Sequence, residues 1–332
     1  MTRYSPIDTS NNNPFQNVIL FLLENLFRKG LRRYKGDCYE KIYTDKGFDT
    51  HTWKLSMTIR EFIYKTIRKE VHYEMWQNLT NSRGSNIDAA EKFISEYVGG
   101  EFEDITKNRN IFAFNNGIYI TKKELTKKEL TDGGLHEDEW IPYEGPDFKK
   151  IGSSIVACNY FNQDFDESTR PVKGKGKHKF NDWFNIIKSK CPSFKSIMEY
   201  QEWEEEVQRW LCILIGRLMY PVGQLDGWQI IGYLLGQAGS GKSTIINYIA
   251  KRIYDHSDVA TMSNNIEATF GTHVIADKFM FIAPEIKANF RLEQSEFQSL
   301  VSGESMSVAV KNKNARTIEW KVPGIMAGNE VP

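Results

Sequence analysis

The sequence lacks an excess of either charge and has few cysteines. Its 332 residues include 43 Lys+Arg and 43 Asp+Glu, so the formal net charge is zero. A zero net charge excludes a protein whose whole surface attracts polyanions, so any contact with nucleic acid must be local. The four cysteines form no C-x-x-C pair and have no histidine at zinc-ligand spacing. This scarcity excludes a disulfide framework and a structural zinc site.

Long hydrophobic runs are also missing. The most apolar run near the start covers only residues 18–23 and stops at Glu24. A bilayer span needs about 20 apolar residues, and the core of a secretory signal needs about 7–15. We therefore expect an intracellular protein that has no membrane partner and whose thiols are reduced.

What the sequence does contain is enough apolar material for a packed core, with 40% hydrophobic and 13% aromatic residues. At about 100–200 residues per domain, the length predicts two domains, or one large domain with an appendage. The pattern changes near residue 200, from polar, aromatic-rich and irregular to regular. The balance of charge holds beyond this point as well, because residues 206–332 contain 12 basic and 12 acidic side chains.

In the first 200 residues, the pattern predicts helices more often than strands. An amphipathic helix is expected from about Phe15 to Lys29, a loop over residues 34–50, and helical apolar spacing over residues 55–77. Residues 89–98 are predicted to form another helix. Residues 110–120 alternate between apolar and polar positions around Asn-Asn-Gly, which predicts a β-hairpin.

After residue 200 the pattern predicts a helix, a strand and a phosphate-binding loop in succession. The helix covers residues 197–220, and an apolar strand of the kind buried in a parallel sheet covers residues 228–235. The strand leads into a match to G-x-x-x-x-G-K-[ST], which is followed by a predicted helix from Lys242 to about Tyr254. The nucleotide-binding residues predicted by this motif are Gly236, Gln237, Ala238, Gly239, Ser240, Gly241, Lys242, Ser243 and Thr244.

Each part of this motif has a physical purpose. Glycines let the backbone turn so that successive N–H groups point at phosphate oxygens. Lys242 supplies a positive charge to the β- and γ-phosphates, and the hydroxyl of Ser243 is a ligand for Mg²⁺. The sequence therefore predicts a P-loop that binds a nucleotide with Mg²⁺, with Lys242 as a catalytic residue.

Two later strands are predicted to end in polar residues that serve the same site. The apolar strand over residues 279–285 ends in Glu285, which is placed to hold Mg²⁺ or to polarise the attacking water. The usual pattern there is Asp-Glu, but position 284 is proline, so one carboxylate remains for one or both tasks. The strand over residues 323–329 ends in Asn329, whose amide can bind the γ-phosphate or orient water.

A basic hairpin is predicted between these two strands. Two β-like runs, residues 302–310 and 317–320, flank a turn-rich segment that carries Lys311, Lys313 and Arg316. A projecting hairpin with a cationic tip is a shape that can contact a phosphate backbone. We assign these three residues as candidate DNA-binding residues.

From about residue 205 onward, the ordered set of motifs resembles the ATPase core of superfamily 3 helicases. The resemblance is strongest to the primase–helicases of nucleocytoplasmic large DNA viruses and of phages and plasmids. The segment at residues 110–120 is similar to the start of the region that precedes the helicase in these proteins. The matching stretches are GRLMYPVGQLDGWQIIGYLLGQAGSGKST (216–244), FMFIAPE (279–285), SGESMSVAVKNK (302–313) and PGIMAGNE-P (323–332).

The resemblance implies an α/β fold in which a P-loop AAA+ three-layer core surrounds a parallel sheet. Residues 205–332 would form this core, incomplete at its C-terminus. Residues 101–204 would form an α+β region like the pre-helicase domain. The resemblance does not extend to residues 1–100, for which the sequence pattern predicts a mostly helical region. The implied localisation is the host cell cytoplasm, where such viruses replicate.

The implied activity is that of an ATP-dependent DNA helicase in a viral-type replication protein. Such a module assembles as a hexameric ring of identical chains and moves along single-stranded DNA, with primase or other replication proteins as further partners. Lys242, Glu285 and Asn329 would be catalytic, Ser243 and Glu285 would hold Mg²⁺ beside ATP, and the cationic hairpin would line the pore.

One feature of the family is missing. The family carries an arginine finger beyond the motif with Asn329, and the sequence stops at Pro332 before that position. Such an arginine contributes about 10³–10⁵ in kcat, so we expect the chain to bind nucleotide better than it hydrolyses it. Two alternatives stay open, a DNA-binding or assembly module that binds nucleotide without hydrolysing it, and a P-loop kinase. A transport-type ATPase is less well supported, because the faint L-S-G-G-Q-like stretch (301–305) lies after Glu285.

Overall fold

The computed structural model describes residues 13–80, 85–121, 138–152, 155–169, 182–263, 271–288, 290, 292–308 and 316–331. The fold is mixed α/β with several sheets, one of which is parallel. Contacts divide the chain into two compact units, Met1–Tyr119 with Ile141–Gln163 and Ile120–Trp140 with Asp164–Pro332. In the part of the chain that the structure describes, no helix has the length and the apolar character to cross a membrane.

The first unit begins with helix α1 (Pro14–Arg28), which confirms the amphipathic helix predicted near its start. Asn13 caps it: its side-chain oxygen accepts a hydrogen bond from the backbone N–H of Phe15, and the side-chain oxygen of Gln16 accepts one from the backbone N–H of Asn13. This capping box satisfies N–H groups that have no partner inside a helix. The apolar face of α1 packs in one core with three further helices, α2 (Ile59–Thr66), α3 (Tyr73–Thr80) and α4 (Ser85–Glu96).

A three-stranded antiparallel sheet follows α1, and it corrects the prediction of a loop over residues 34–50. Its strands are β1 (Arg32–Tyr34), β2 (Asp37–Tyr43) and β3 (Asp49–Thr58). Lys35 and Gly36, between β1 and β2, both have positive φ angles. A two-residue turn with positive φ at both positions matches the twist of a hairpin. The prediction missed this turn because a lysine before the glycine is a weaker signal than an asparagine.

The helical spacing predicted over residues 55–77 contains a strand end and two helices. Strand β3 continues to Thr58, whose side chain accepts a hydrogen bond from the backbone N–H of Glu61 and caps α2. The cap decides the boundary, because a threonine hydroxyl at this position satisfies an N–H that the helix leaves free. The helix predicted over residues 89–98 is confirmed as α4, which starts four residues earlier.

A second sheet contains the predicted hairpin. Strands β4 (Asn108–Ala113) and β5 (Gly117–Ile120) are neighbours in it, so the hairpin over residues 110–120 is confirmed. The strand order is β6-β5-β4-β7, and β7 pairs with β4 in parallel. The outer strands are β6 (Glu139–Pro142) and β7 (Ala157–Tyr160).

In the second unit, the long helix predicted over residues 197–220 is divided. The structure has helices α5 (Asp182–Lys190), α6 (Pro192–Tyr200) and α7 (Glu205–Arg217). Glu202 lies between α6 and α7 with a φ of 52°. A left-handed residue cannot continue a right-handed helix, and the chain therefore changes direction at this position.

A four-stranded parallel sheet forms the centre of the second unit. Its order is β8-β13-β10-β9, with β8 (Gly232–Leu235), β9 (Val259–Thr261), β10 (Met280–Ile286) and β13 (Gly324–Gly328). All three pairings are parallel. The two strands predicted to carry Glu285 and Asn329 are confirmed as β10 and β13.

Strand β8 is shorter than the predicted strand over residues 228–235. The guanidinium of Arg217 donates hydrogen bonds to the carbonyls of Trp228 and Ile230, at 3.1 and 3.2 Å, and binds both oxygens of Asp226 at 2.8 Å. Because these carbonyls bond to a side chain, the backbone around them does not join the ladder.

The hairpin predicted between Glu285 and Asn329 is present where the structure describes it. Helix α10 (Gln294–Ser302) precedes strand β11 (Ser305–Val308), which pairs antiparallel with β12 (Arg316–Glu319). Val308 and Trp320 are fully buried in the same apolar core as strand β10. The base of the hairpin is therefore attached firmly to the unit. The second unit also contains the short helices α8 (Lys242–Thr244) and α9 (Gly271–Ala276).

Candidate functional site

A cavity of about 370 Å³ lies where strands β8, β10 and β13 end. Ligands of open parallel sheets bind at the carboxyl ends of the strands, because the loops that follow them meet at this edge. Three sequence motifs predicted separately are brought together here. The lining residues are Ala238, Gly239, Ser240, Gly241, Lys242, Ser243, Thr244, Pro284, Glu285, Gly328 and Asn329.

The backbone of the glycine-rich loop over residues 236–244 needs glycine at three positions. Gly239 and Gly241 have φ angles of 83° and 85°. Residues with a Cβ rarely adopt this backbone conformation. A Cβ on Gly236 would lie 2.9 Å from the hydroxyl oxygen of Ser240. The glycines of the motif therefore allow both the turn and its close approach to itself.

Lys242 is the centre of the cavity's hydrogen bonding. Its ammonium donates to the backbone carbonyls of Gly236 and Gln237, at 2.6 and 2.7 Å. It also lies 3.3 Å from the hydroxyl oxygen of Ser240 and 3.0 Å from Oδ1 of Asn329. An ammonium has three protons to donate, so these four oxygens compete for it, and an anion entering the loop can replace any of them.

Glu285 reaches the cavity through an irregularity in strand β10. Ala283 pairs with Met326 and Ile286 pairs with Gly328, so β10 has one more residue than β13 over this stretch. Such a bulge bends a strand and redirects a side chain. It also explains how a strand with neighbours on both sides accommodates Pro284, since proline in sheets is confined to edges, first positions and bulges. Glu285 is exposed.

The end of β13 is held by contacts that the sequence did not indicate. The hydroxyl of Tyr233 donates to the backbone carbonyl of Glu330, and burial, with a smaller contribution from the nearby carboxylate of Glu330, raises the pKa of Tyr233. A Cβ on Gly328 would lie 2.0 Å from the same hydroxyl oxygen and 2.3 Å from the carbonyl of Ile286. Gly328 and Tyr233 therefore determine where Asn329 lies.

The segment after the glycine-rich loop is helical but not a regular α-helix, contrary to the prediction of one helix from Lys242 to Tyr254. It consists of α8, a π-helical stretch over Ile245–Ile249 and a 3₁₀ turn over Ala250–Arg252. Three isoleucines in five residues reduce helix propensity, because β-branched side chains crowd the preceding turn. Ile245 and Ile246 are buried, so packing decides the course of this segment.

The predicted DNA-binding residues lie mostly outside the described residues. Lys311 and Lys313 are in this class, and Arg316 is the first residue of β12 with no side chain described. The structure therefore describes the base of the hairpin and not its cationic tip.

The cavity suits Mg²⁺ by its donor chemistry. Mg²⁺ prefers oxygen ligands and keeps several waters, and it is usually bound by one or two carboxylates together with substrate phosphates. Ser243 and Glu285 place one hydroxyl and one carboxylate on the cavity wall. Among the described residues there is no group of three or more His, Cys, Asp or Glu side chains that could hold a metal alone.

A larger cavity, of about 610 Å³, lies near the opposite ends of β8 and β13 and is mostly apolar. Arg217 and Asp226 are on its wall, but they bind each other through two hydrogen bonds. Hydrogen bonding to Arg217 lowers the pKa of Asp226. The smaller cavity is the better candidate for chemistry because its lysine, carboxylate and amide converge.

One protein-family model matches the part of the chain that contains this cavity. Residues 234–332 match a family described as "Family of unknown function (DUF5906)". None of the curated proteins matches the sequence.

Solved structures of the apo C-terminal region of NrS-1 are similar to this chain. One has 12% sequence identity and a TM-score of 0.34, and covers 67% of this chain. Another has 14% identity and a TM-score of 0.33, and covers 66%. The chain spans about half the length of these structures, 54% in both cases.

Proposed function

We propose that residues 205–332, which lie in the second unit, form the ATPase core of a superfamily 3 helicase with a P-loop AAA+ fold. The observation that carries this proposal is the hydrogen bond between Lys242 and Asn329, which are 87 positions apart. Both residues line one cavity with Glu285. A cation, an acid and a neutral amide around a glycine-rich loop are the groups that phosphoryl transfer from a nucleoside triphosphate requires.

Each residue has a distinct task in this proposal. The backbone N–H groups of residues 238–243 bind phosphate oxygens, and the ammonium of Lys242 leaves its present acceptors to neutralise the β- and γ-phosphates. Ser243 and Glu285 would hold Mg²⁺, which would supply positive charge beside the phosphates. Glu285 also polarises the attacking water, and Asn329 contacts the γ-phosphate without adding charge to it.

DNA contact is proposed for the hairpin between β11 and β12. Because the chain carries no net charge, a local cationic segment must supply the attraction to phosphate. Lys311, Lys313 and Arg316 are the cations of that segment. In a hexameric ring, six copies of a small basic tip would converge on one pore and contact a single DNA strand there. Such a ring would unwind duplex DNA in replication, alongside a primase.

The test is ATP binding and hydrolysis by the full chain, with and without single-stranded DNA. We expect micromolar ATP binding that Lys242→Ala abolishes, and hydrolysis that rises with DNA. Stimulation by a small hydroxyl compound instead of DNA would favour a kinase. Binding without hydrolysis, with or without DNA, would favour the assembly module.

A further inference from the structure

A second cavity beside the P-loop, of about 390 Å³, lies on the side of helix α7. Gly236, Ser240 and Lys242 belong to its lining, and the last two also line the cavity described above. The volume is within the range of small-ligand pockets, about 300–1,000 Å³. A ligand whose phosphates lie in the P-loop can therefore extend into this second cavity.

The walls of the second cavity are apolar and partly exposed. Trp203, Val207 and Trp210 come from the start of α7 and the loop before it, and Leu235 comes from the end of β8. Val207, Trp210 and Leu235 are 47%, 42% and 57% exposed. Apolar surface of this kind gains about 25 cal/mol per Å² when it is covered. We name the four residues, with Gln201, the tryptophan pocket.

The loop that carries Trp203 is held in place beside the P-loop. Glu202 has a positive φ, and the side chain of the buried Gln208 donates to the carbonyl of Trp203 at 2.8 Å. The amide nitrogen of Gln201 lies 3.9 Å from the point that a Cβ on Gly241 would occupy. The left-handed residue that divides α6 from α7 thus brings an aromatic ring and an amide next to the phosphate-binding loop.

The polar groups of the pocket indicate what kind of ring it takes. The side-chain amide of Gln201 offers an NH₂ group as donor and a carbonyl oxygen as acceptor, and the hydroxyl of Tyr233 donates to the backbone carbonyl of Glu330. No carboxylate is among the described residues that line the pocket. A glutamine pairs with N6 and N7 of adenine, whereas the N1–H and N2–H₂ donors of guanine would meet no acidic acceptor.

We propose that the tryptophan pocket binds the purine base of the nucleotide whose phosphates lie in the P-loop, with adenine favoured over guanine. Trp203 and Trp210 supply aromatic and apolar contact, and Gln201 reads the edge of the base. This inference rests on the proposed function, because it requires the P-loop to hold a triphosphate. It adds the residues that select the base.

The experiment compares ATP, GTP and inorganic tripolyphosphate binding to the full chain and two variants, Trp210→Leu and Trp228→Leu. Trp210 and Trp228 are 42% and 43% exposed, and their rings lie 5.5 Å apart. Both variants lose the contact between the two tryptophans, but only Trp210 lines the pocket. The two variants are therefore matched, and their exposure makes unfolding by either substitution unexpected.

Stacking of a base on an aromatic side chain contributes about 1–3 kcal/mol, which is about 5–150-fold in affinity. We expect Trp210→Leu to weaken the affinity for ATP by at least fivefold and to leave the affinity for tripolyphosphate unchanged. Trp228→Leu should change neither affinity. Gln201→Ala should reduce the preference for ATP over GTP.

Equal affinities for ATP and tripolyphosphate, or equal losses in the two tryptophan variants, would overturn the assignment of the pocket. Equal affinities for ATP and GTP in the unaltered chain would overturn the preference for adenine. Failure of the proposed function gives a different result, since neither ATP nor tripolyphosphate would then bind in a way that depends on Lys242.

Discussion

The contact between Lys242 and Asn329 leads to a quantitative prediction about nucleotide preference. Asn329→Ala removes the 3.0 Å hydrogen bond to the ammonium in the nucleotide-free protein. That loss changes the free protein and therefore affects the affinities for ATP and ADP by the same factor. The ratio of the two affinities reports only the contact of Asn329 with the γ-phosphate, which ADP lacks.

The size of the effect follows from the exposure of the amide. A hydrogen bond to a charged group contributes about 1.5–3 kcal/mol in net terms. Asn329 is exposed, which places its bond to the γ-phosphate at the lower end of this range. Since about 1.4 kcal/mol is a factor of ten, we expect the ATP-over-ADP preference to fall about tenfold in Asn329→Ala.

The assay is calorimetric titration with Mg²⁺, ADP and an ATP analogue with a non-hydrolysable β–γ bridge. Glu330→Gln is the control, because the Glu330 carboxylate accepts from the N–H of Ala288 at 3.4 Å and is not in the described lining. It should leave the ratio unchanged. If Asn329→Ala lowers both affinities and keeps their ratio, Asn329 serves only to position Lys242 and the reasoning is refuted.

Three further predictions concern packing, pH and DNA. Gly328→Ala should destabilise the fold by about 1–3 kcal/mol, because its Cβ would overlap two oxygen atoms. Gly216 lies in α7 with open space around its Cβ position, so Gly216→Ala should stabilise the fold by about 0.5–1 kcal/mol. Equal changes in the free energy of unfolding, measured by urea denaturation, would contradict this. Hydrogen bonding to Arg217 lowers the pKa of Asp226 in the folded protein. The ion pair therefore stabilises the fold fully at pH values above the unfolded-state pKa of about 3.9, and this stabilisation is lost as the pH falls through the folded-state pKa. Asp226→Asn should therefore flatten stability against pH in acid, as thermal melts will measure. Replacing Lys311 and Lys313 with glutamine should weaken single-stranded DNA binding and reduce its salt slope by about 1.4, with ATP affinity unchanged; an unaltered slope would rule out the hairpin contact.

Local sequence chemistry was sufficient for part of the fold. The apolar face of α1, the Asn-Asn-Gly hairpin of β4 and β5, and the strands that lead to Glu285 and Asn329 were all predicted. Each has its sequence signal within one short segment of the chain. The sheet made by β1, β2 and β3 was missed because its first turn has a weak sequence signal, although Lys35 and Gly36 both adopt positive φ.

Other boundaries depended on distant partners. Strand β8 is short because the side chain of Arg217 donates hydrogen bonds to backbone carbonyls 11 and 13 positions later in the chain. The break between α6 and α7 coincides with the positive φ at Glu202. Periodicity alone favoured one long helix, since apolar spacing continues through the break.

The sequence by itself determined the chemistry of the glycine-rich loop, because the conformational freedom of glycine and the charge of lysine are properties of single residues. Only the tertiary structure decided that Lys242 meets Asn329, that a bulge turns Glu285 toward the same cavity, and that two tryptophans stand beside it. These arrangements depend on how parallel strands align and on which side chains can pack between them. The contacts involved join residues too far apart for any local pattern to indicate.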